Sequence, residues 1–150
     1  MLSTIDMATV HRHFTDASSD NGTQLLNPPL IHASVFADAK YVVSVTAAGT
    51  IVLQRWRATD SCCIRRAHRG MATVLRSVNN TRGKCVSAGL DGVVCVWTVI
   101  DSSSEIECQL RISHGGKPND VVVVNGDEEE AGGKVVVADT TNNVTIYSVQ

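Results

Sequence analysis

A turn signal recurs along this chain at nearly constant spacing. Four dipeptides of small or polar residues start at positions 6, 48, 91 and 141, which are 42, 43 and 50 residues apart, and each precedes an apolar, β-branched run. Such runs favour strands, and turn residues mark where strands end. A repeat of this length predicts one structural unit per copy, whose apolar faces are buried only when neighbouring copies stack on it. The dipeptides are Asp6-Met7, Ala48-Gly49, Asp91-Gly92 and Thr141-Asn142.

Each unit is predicted to be a four-stranded antiparallel sheet, because repeats of this length are typical of β-propeller blades. Runs such as 121–124 and 134–138 are apolar on both sides, as in sheets covered on both faces, and no apolar stripe has helical period. We therefore predict an all-β fold, a partial β-propeller of about three four-stranded blades in an open arc. The assigned strands are 30–36, 41–45, 50–56 and 61–66, then 72–78, 84–88, 92–98 and 106–112, then 120–124, 133–138 and 144–149.

The same pattern divides the chain into segments. Residues 27–66, 67–112 and 113–150 are predicted to be the three blades. Residues 1–26 supply at most two outer strands joined by the polar stretch 16–22, which is typical of a loop.

The clearest copy carries Ala67-His68, then a strand around Ser87, then the turn at Asp91 and a strand ending in Trp97. This copy resembles a WD repeat. His68 stands at the family's signature histidine and Trp97 at its signature tryptophan, while Thr98 replaces the usual aspartate. The resemblance implies that His68, Ser87, Asp91 and Trp97 form a buried, hydrogen-bonded structural tetrad.

A serine, a histidine and an aspartate also make a hydrolase triad when they converge in space. Against that interpretation, Asp91 would hold the imidazole and the Trp97 indole N–H would add a donor, which leaves no open oxyanion site. We therefore expect a structural role for His68 and Ser87 and predict that the protein is not an enzyme.

The other copies match less completely. In the first blade Ser44 takes the Ser87 position, but Gln54 replaces the tryptophan, and Trp56 is expected on the same strand face as Gln54. That network is predicted to be incomplete. In the third blade His114 and Tyr147 keep the histidine and the aromatic, but Val137 replaces the serine. We expect this blade to be held by packing alone.

Segments 24–32 and 113–147 resemble one branch of the WD-repeat family, a branch of seven-bladed propellers implicated as substrate receptors of cullin-RING ubiquitin ligases. Receptors of that kind often carry a Trp-Asp-x-Arg motif that contacts the ligase adaptor. Here Trp97 is followed by Thr98-Val99-Ile100, so the resemblance does not extend to that contact.

An arc of three blades leaves two bare ends. Four strands about 4.8 Å apart and about 17 Å long present roughly 320 Å² at each end, near the size of the largest apolar patches on monomers. We therefore predict that the protein associates through its open blade faces, with itself or with a partner protein.

Composition is that of an ordinary globular chain, with 43% apolar residues and a formal net charge of −2. No apolar run is long enough to cross a membrane, and the first 14 residues lack the apolar block of a signal peptide, so we expect a cytoplasmic or nuclear protein. Five cysteines without Cys-x-x-Cys spacing predict reduced, packed thiols and no zinc. His11 and His13 could hold a metal from one strand face, but an exposed strand explains them as well. No cofactor is expected.

Basic residues concentrate between positions 55 and 84, a segment that contains eight Lys or Arg and one acidic residue. Strand alternation could simply turn Arg55 and Arg57 outward while Gln54 and Trp56 point inward. Alternatively, the region forms a basic surface for an acidic protein segment or a nucleic-acid backbone. The candidate partner-binding residues are Arg55, Trp56, Arg57, Arg65, Arg66 and Arg69.

The acidic run 127–130 between two valine-rich strands fits a solvated hairpin loop, or a charged cover over an open sheet edge. Since every matched pattern is structural, the function predicted from sequence is a protein-interaction scaffold. A nucleic-acid-associated propeller is the first alternative, and a hydrolase based on Ser87 and His68 is the second.

Overall fold

The computed structural model describes residues 30–57, 62–78, 81–125 and 133–149, and within those ranges the chain forms strands and no helix. The predicted segment 1–26 and the acidic run 127–130 lie outside the described residues. The strands are β1 Ile31–Phe36, β2 Tyr41–Thr46, β3 Thr50–Arg55, β4 Cys62–Arg66, β5 Ala72–Ser77, β6 Lys84–Gly89, β7 Val93–Ile100, β8 Glu105–Ser113, β9 Pro118–Asn125, β10 Gly133–Asp139 and β11 Val144–Val149.

These strands make three antiparallel sheets, each built from consecutive strands in simple order: β1 to β4, β5 to β8, and β9 to β11. The all-β arc predicted from the repeat is confirmed, and every assigned strand begins and ends within two residues of an observed one. We call the three units the first, second and third sheet. They do not close into a ring.

The turn between the second and third strand of a sheet is the same in all three copies. Gly49, Gly92 and Asn142 have φ values of 76°, 71° and 63°, which is the left-handed region. Glycine adopts that conformation without strain, and asparagine tolerates it better than most residues. These are the recurring dipeptides of the sequence, so the repeat period is the spacing of one backbone turn.

The apolar core is divided into two layers, one between each pair of neighbouring sheets. Between the first and second sheets, Ile51 and Leu53 pack with Leu75 and Trp97. Between the second and third, the buried layer consists of Val74, Val86, Ala88, Val94, Val121, Val135 and Val137. Alternate residues of one strand point to opposite faces, so the second sheet contributes to both layers.

Backbone hydrogen bonds join each sheet to the loop that enters the next. The Gly49 carbonyl accepts the His68 N–H at 2.8 Å, and the Gly92 carbonyl accepts the His114 N–H at 2.8 Å. A Cβ atom on Gly49 would lie 2.4 Å from the His68 carbonyl oxygen. The next loop therefore lies directly against the turn, and only glycine leaves room for it.

Side chains add polar contacts at the outer part of the first interface. The Tyr41 hydroxyl donates to Asp101 at 3.0 Å, Lys40 pairs with Asp101 at 2.5 Å, and Arg65 pairs with Glu105 at 3.2 Å. The hydrogen bonds from Lys40 and Tyr41 lower the pKa of Asp101. Each basic partner comes from the first sheet and each acidic partner from the second, so these contacts fix how the two sheets face each other.

None of the described sheets packs against the second face of the third sheet. Val144 and Ile146 of β11 are 66% and 61% exposed, and Val122 and Val124 of β9 are 46% and 50% exposed. Strand register places these residues on one surface, which we call the third-sheet face. Its members are Asp120, Val122, Val124, Lys134, Val136, Ala138, Val144, Ile146 and Ser148.

Two glycines with similar backbone angles allow the cost of backbone strain to be measured apart from the cost of steric crowding around a new Cβ atom. Gly49 and Gly115 have φ values of 76° and 83°, but a Cβ on Gly115 would have no atom within 4 Å. We expect Gly115→Ala to lower the free energy of unfolding by about 1–2 kcal/mol, from backbone strain alone. Gly49→Ala should cost at least about 2 kcal/mol more, because the next loop must move. Urea denaturation measures both, and equal losses would contradict this account of the turn.

Candidate functional site

The second sheet contains a continuous chain of hydrogen bonds that starts at the loop before β5. His68 Nε2 lies 2.8 Å from Ser87 Oγ on β6, and His68 Nδ1 lies 3.2 Å from Asp91 Oδ1 in the following turn. The Trp97 indole on β7 donates to Ser87 Oγ at 2.9 Å. The structure thus brings together the four residues that the repeat pattern singles out, from one loop, two strands and one turn.

Every donor in this chain has an acceptor if the imidazole is neutral with its proton on Nδ1. Trp97 donates to Ser87, Ser87 donates to His68 Nε2, and His68 Nδ1–H donates to Asp91. Burial lowers the pKa of His68 and outweighs the opposing effect of Asp91. The neutral imidazole is therefore the form present at pH 7.

Asp91 is fixed by backbone donors as well as by the imidazole. Its carboxylate accepts the Arg69 N–H at 2.8 Å and the Val93 N–H at 3.3 Å. Burial raises the pKa of Asp91, but the hydrogen bonds from these N–H groups and from His68 outweigh burial and leave the pKa below its ordinary value. The aspartate thus ties the loop before β5 to the turn before β7.

The distances among Ser87, His68 and Asp91 are those of a hydrolase triad, but the surroundings are not. Ser87 and His68 have no solvent-exposed surface, and the serine oxygen already accepts the Trp97 indole N–H. A nucleophile must reach the substrate carbonyl, with further donors around the resulting oxyanion. The geometry gives a substrate no access to Ser87.

The first sheet has the shortened network that its sequence indicates. Ser44, at the Ser87 position, exchanges a hydrogen bond with Ser34 of β1 at 2.8 Å. Thr46 and Thr50 join across the turn through their hydroxyls at 2.7 Å. Gln54 is buried at the Trp97 position. Short hydroxyl pairs between neighbouring strands therefore take the place of the histidine chain.

The expectation that the third sheet is held by packing alone is wrong. His114 Nδ1 lies 2.7 Å from the Tyr147 hydroxyl and Nε2 lies 2.9 Å from Asp139 Oδ2. Asp139 also accepts the Thr141 hydroxyl at 2.6 Å and the Thr141 N–H at 2.7 Å, and these bonds lower its pKa. The tyrosine hydroxyl reaches the imidazole directly, so Val137 can replace the serine without breaking the network.

Asp139 escaped the sequence analysis because it occupies a different repeat position from Asp91. Strand pairing aligns Asp139 with Gly89, and Thr141 with Asp91. A Cβ on Gly89 would lie 2.7 Å from His68 Cγ and 2.8 Å from Asp91 Oδ1. In the second sheet Gly89 has no side chain, which leaves room for the Asp91 carboxylate from the turn. In the third sheet the equivalent strand residue, Asp139, supplies the carboxylate itself.

The candidate basic residues do not lie together at one end of the first sheet. Arg55 pairs with Tyr41 at one end of β3, while Arg66 pairs with Thr50 at the other end, about four to five residues or roughly 15 Å away. Arg65 is in an ion pair with Glu105, Arg66 donates to the His68 carbonyl, and Arg69 follows in the loop. Among the described residues, Arg65 is the one candidate with an acidic partner in an ion pair.

The expectation that Trp56 points inward with Gln54 is wrong. β3 ends at Arg55, and Arg57 has a φ of 68°, so strand alternation stops before the tryptophan. Trp56 is 47% exposed and packs edge-on against Phe36, with ring centroids 5.5 Å apart. Arg55 and Arg57 are exposed, as alternation indicates.

Cysteines depart in part from the predicted packing. Cys85 and Cys95 are buried, but Cys108 is exposed, and the four described thiols are free. Across the described ranges, no group of three His, Cys, Asp or Glu side chains is placed to hold a metal ion. His11 and His13 lie outside those ranges. Among the described residues no helix is long and apolar enough to span a membrane.

Comparison with solved structures supports the propeller architecture. The chain aligns with the computationally designed Ika8 protein with a TM-score of 0.60 and 18% identity, covering 79% of this chain and 33% of that one. It aligns with the Cps50 (Swd1) β-propeller domain of Myceliophteria thermophila with a TM-score of 0.63 and 14% identity, covering 81% of this chain and 40% of that one. The fold is therefore a partial β-propeller, which spans less than half the length of either structure. No protein-family model and no curated protein matches the sequence.

Removing the Ser87 hydroxyl should lower the stability of the protein, because the role of Ser87 is structural. In Ser87→Ala the His68 and Trp97 nitrogens lose a buried partner, so we expect the free energy of unfolding to fall by about 1–3 kcal/mol. Exposed Ser113 on β8 provides the matched control, and Ser113→Ala should change stability by less than about 0.5 kcal/mol. Urea denaturation measures both. Labelling of wild-type Ser87 by a fluorophosphonate would contradict the structural role.

The third-sheet network can be tested by deleting one oxygen. Tyr147→Phe keeps the ring but removes the hydroxyl bound to His114, so we expect a loss of about 1–2 kcal/mol in unfolding free energy. Thermal and urea denaturation of the variant, compared with wild type, give the value. A change of less than about 0.3 kcal/mol would restore the earlier interpretation, in which packing alone holds this sheet.

Proposed function

We propose that this protein is a non-enzymatic protein-interaction scaffold whose third-sheet face binds another β-sheet. The observation that carries the proposal is the match between this exposed face and the faces buried inside the molecule. Propeller sheets bury both faces against neighbours, so an exposed copy of a buried face is a surface prepared for contact.

The match holds position by position between the second and third sheets. Strand register aligns Val86 and Ala88 of β6 with Val136 and Ala138 of β10. It aligns Val94 and Val96 of β7 with Val144 and Ile146 of β11, and Lys84 with Lys134. In the second sheet Val86, Ala88 and Val94 are completely buried against the third sheet, whereas Val144 and Ile146 are mostly exposed.

The occupant we propose is a second copy of this chain, with its third-sheet face packed against the first. A two-fold axis across the strands places the apolar middle of the face, Val136 and Ile146, against the same residues of the partner. Asp120 is already in an ion pair with Arg76 at 3.1 Å, so apolar contact carries the proposal. Two-fold dimers of this self-complementary kind are the commonest symmetric assemblies.

Self-association is tested with Ile146, an exposed residue in the middle of strand β11 on this face. Sedimentation velocity from about 1 µM to about 100 µM should show a monomer–dimer equilibrium for wild type. Ile146→Lys should weaken dimerisation at least about tenfold, because the ammonium would lose water in an apolar interface. Leu90 is 42% exposed outside the face, and Leu90→Lys is the matched control, expected to leave the equilibrium unchanged. A monomer at every concentration, or equal effects of both variants, would contradict the second copy as occupant.

A ligase-related role rests on the resemblance of segments 24–32 and 113–147 to WD repeat-containing protein 53. Ile31 and His32 belong to the first sheet, Ser113 ends the second sheet, and the strands after it form the third sheet. Trp97 is followed by Thr98, Val99 and Ile100. The proposal is therefore limited to a receptor-like scaffold, without a named adaptor contact. A cytoplasmic or nuclear location, expected from the sequence, remains part of the proposal.

Nucleic-acid binding through the basic region is the less favoured function. Arg55 and Arg66 lie at opposite ends of the first sheet, and Arg65 is paired with an acid. Phosphate backbones are bound by basic groups that act together along one surface. The exposed Trp56 and its Arg neighbours fit a small protein contact better, since Trp and Arg are enriched at the centres of such interfaces.

A further inference from the structure

Two cysteines of the second sheet are neighbours on one face although they lie in different strands. Cys95 is in β7, and Cys108 of β8 lies opposite Trp97, two residues beyond Cys95. Residues two apart in a strand share a face, so Cys108 is the diagonal neighbour of Cys95. A β-bulge shifts the pairing between Val96 and Trp97 and places Cys108, rather than Gln109, at this position.

The two thiols have opposite environments. Cys95 is fully buried, with its sulfur 3.9 Å from the Ala67 carbonyl oxygen. Cys108 is exposed, with its sulfur 3.4 Å from the Leu110 carbonyl oxygen. One sulfur is therefore open to small molecules in solution, and the other lies in the core on the same face of the sheet.

Electrostatics favour the thiolate on the exposed member. The hydrogen bond from the Cys95 thiol and, to a smaller extent, the Arg111 guanidinium lower the pKa of Cys108 to about 7 in spite of partial burial. The same hydrogen bond, together with burial, raises the pKa of Cys95 far above its ordinary value. Because the thiolate is the nucleophilic form, Cys108 reacts first and Cys95 remains a thiol.

We propose that Cys108 is a peroxide-modified residue and that Cys95 is its resolving thiol. The Cys108 thiolate attacks hydrogen peroxide, an S–O bond forms as the O–O bond breaks, and hydroxide leaves. This step oxidises the sulfur to a sulfenic acid and reduces the peroxide oxygen. Once Cys108 is a sulfenic acid, its thiolate no longer raises the pKa of Cys95. The Cys95 proton passes to the sulfenic oxygen, the Cys95 sulfur attacks the Cys108 sulfur, an S–S bond forms, the S–O bond breaks, and water leaves.

The other described cysteines provide internal comparisons. Cys85 is also a diagonal neighbour of Cys95, on the side of β6, but it is fully buried and burial raises its pKa to about 12. Cys63 is partly exposed and lies opposite Leu53 in another sheet. Cys63 is thus an accessible thiol that is not next to Cys95. Cys85 is next to Cys95 but is not accessible.

The experiment treats the folded, reduced protein with hydrogen peroxide, blocks remaining thiols by alkylation, and identifies linked peptides by mass spectrometry. We expect a Cys95–Cys108 disulfide, with Cys85 left as a thiol. Cys108→Ser should abolish the disulfide, and Cys63→Ser, the control, should leave its yield unchanged. A Cys85–Cys95 disulfide, or oxidation of Cys63 as fast as Cys108, would overturn the proposal.

Two further variants separate the two steps. Cys95→Ser should stop at a Cys108 sulfenic acid that dimedone traps, while wild type passes on to the disulfide. Exposed Arg111 can be changed without disturbing the core, and Arg111→Gln should slow the first step about threefold by raising the fraction of neutral thiol. A sulfenic acid that persists equally in wild type and Cys95→Ser would show that Cys95 is not the resolving thiol.

Discussion

Coverage of both faces of each sheet is the constraint on which this structure depends. Apolar residues stand on both sides of β6, β7 and β10, so a single sheet in water would expose one apolar layer whatever its orientation. Stacking removes both layers from water for the second sheet and one for the third. Hydrophobic contact between two sheets does not by itself fix their relative orientation. The contacts at the glycine turns and the ion pairs between sheets fix that orientation.

The periodic features of this fold were accessible from the sequence because each has a local cause. A left-handed turn needs Gly49, Gly92 or Asn142, and the strands follow from the turns. The four-residue network of the second sheet was equally accessible, since His68, Ser87, Asp91 and Trp97 keep the family spacing. Two of the features that escaped depended on local breaks in the period: a left-handed Arg57 that redirects Trp56, and a bulge that moves Cys108 by one position. Neither break has a glycine or proline to mark it in the sequence.

The two histidine networks show that the same place in the repeat can hold two different sets of hydrogen-bonding side chains. In the second sheet Nδ1 faces the carboxylate and Nε2 faces the serine, whereas in the third sheet Nε2 faces the carboxylate and Nδ1 faces the tyrosine hydroxyl. A neutral imidazole has one donor and one acceptor, so either orientation satisfies both nitrogens. What persists between the copies is a donor–acceptor chain across the entering loop and two strands. The residues that complete this chain, and their exact repeat positions, can change.

The second sheet is the only one among the described strands that belongs to both apolar layers. Sheets stacked in a row interact only with their immediate neighbours, so loosening at either end leaves the opposite interface intact. Loss of the middle sheet, in contrast, separates the arc into two pieces, neither of which retains a completed interface. The cooperativity of the whole arc is therefore concentrated in its central member, and the ends are where independent motion can begin.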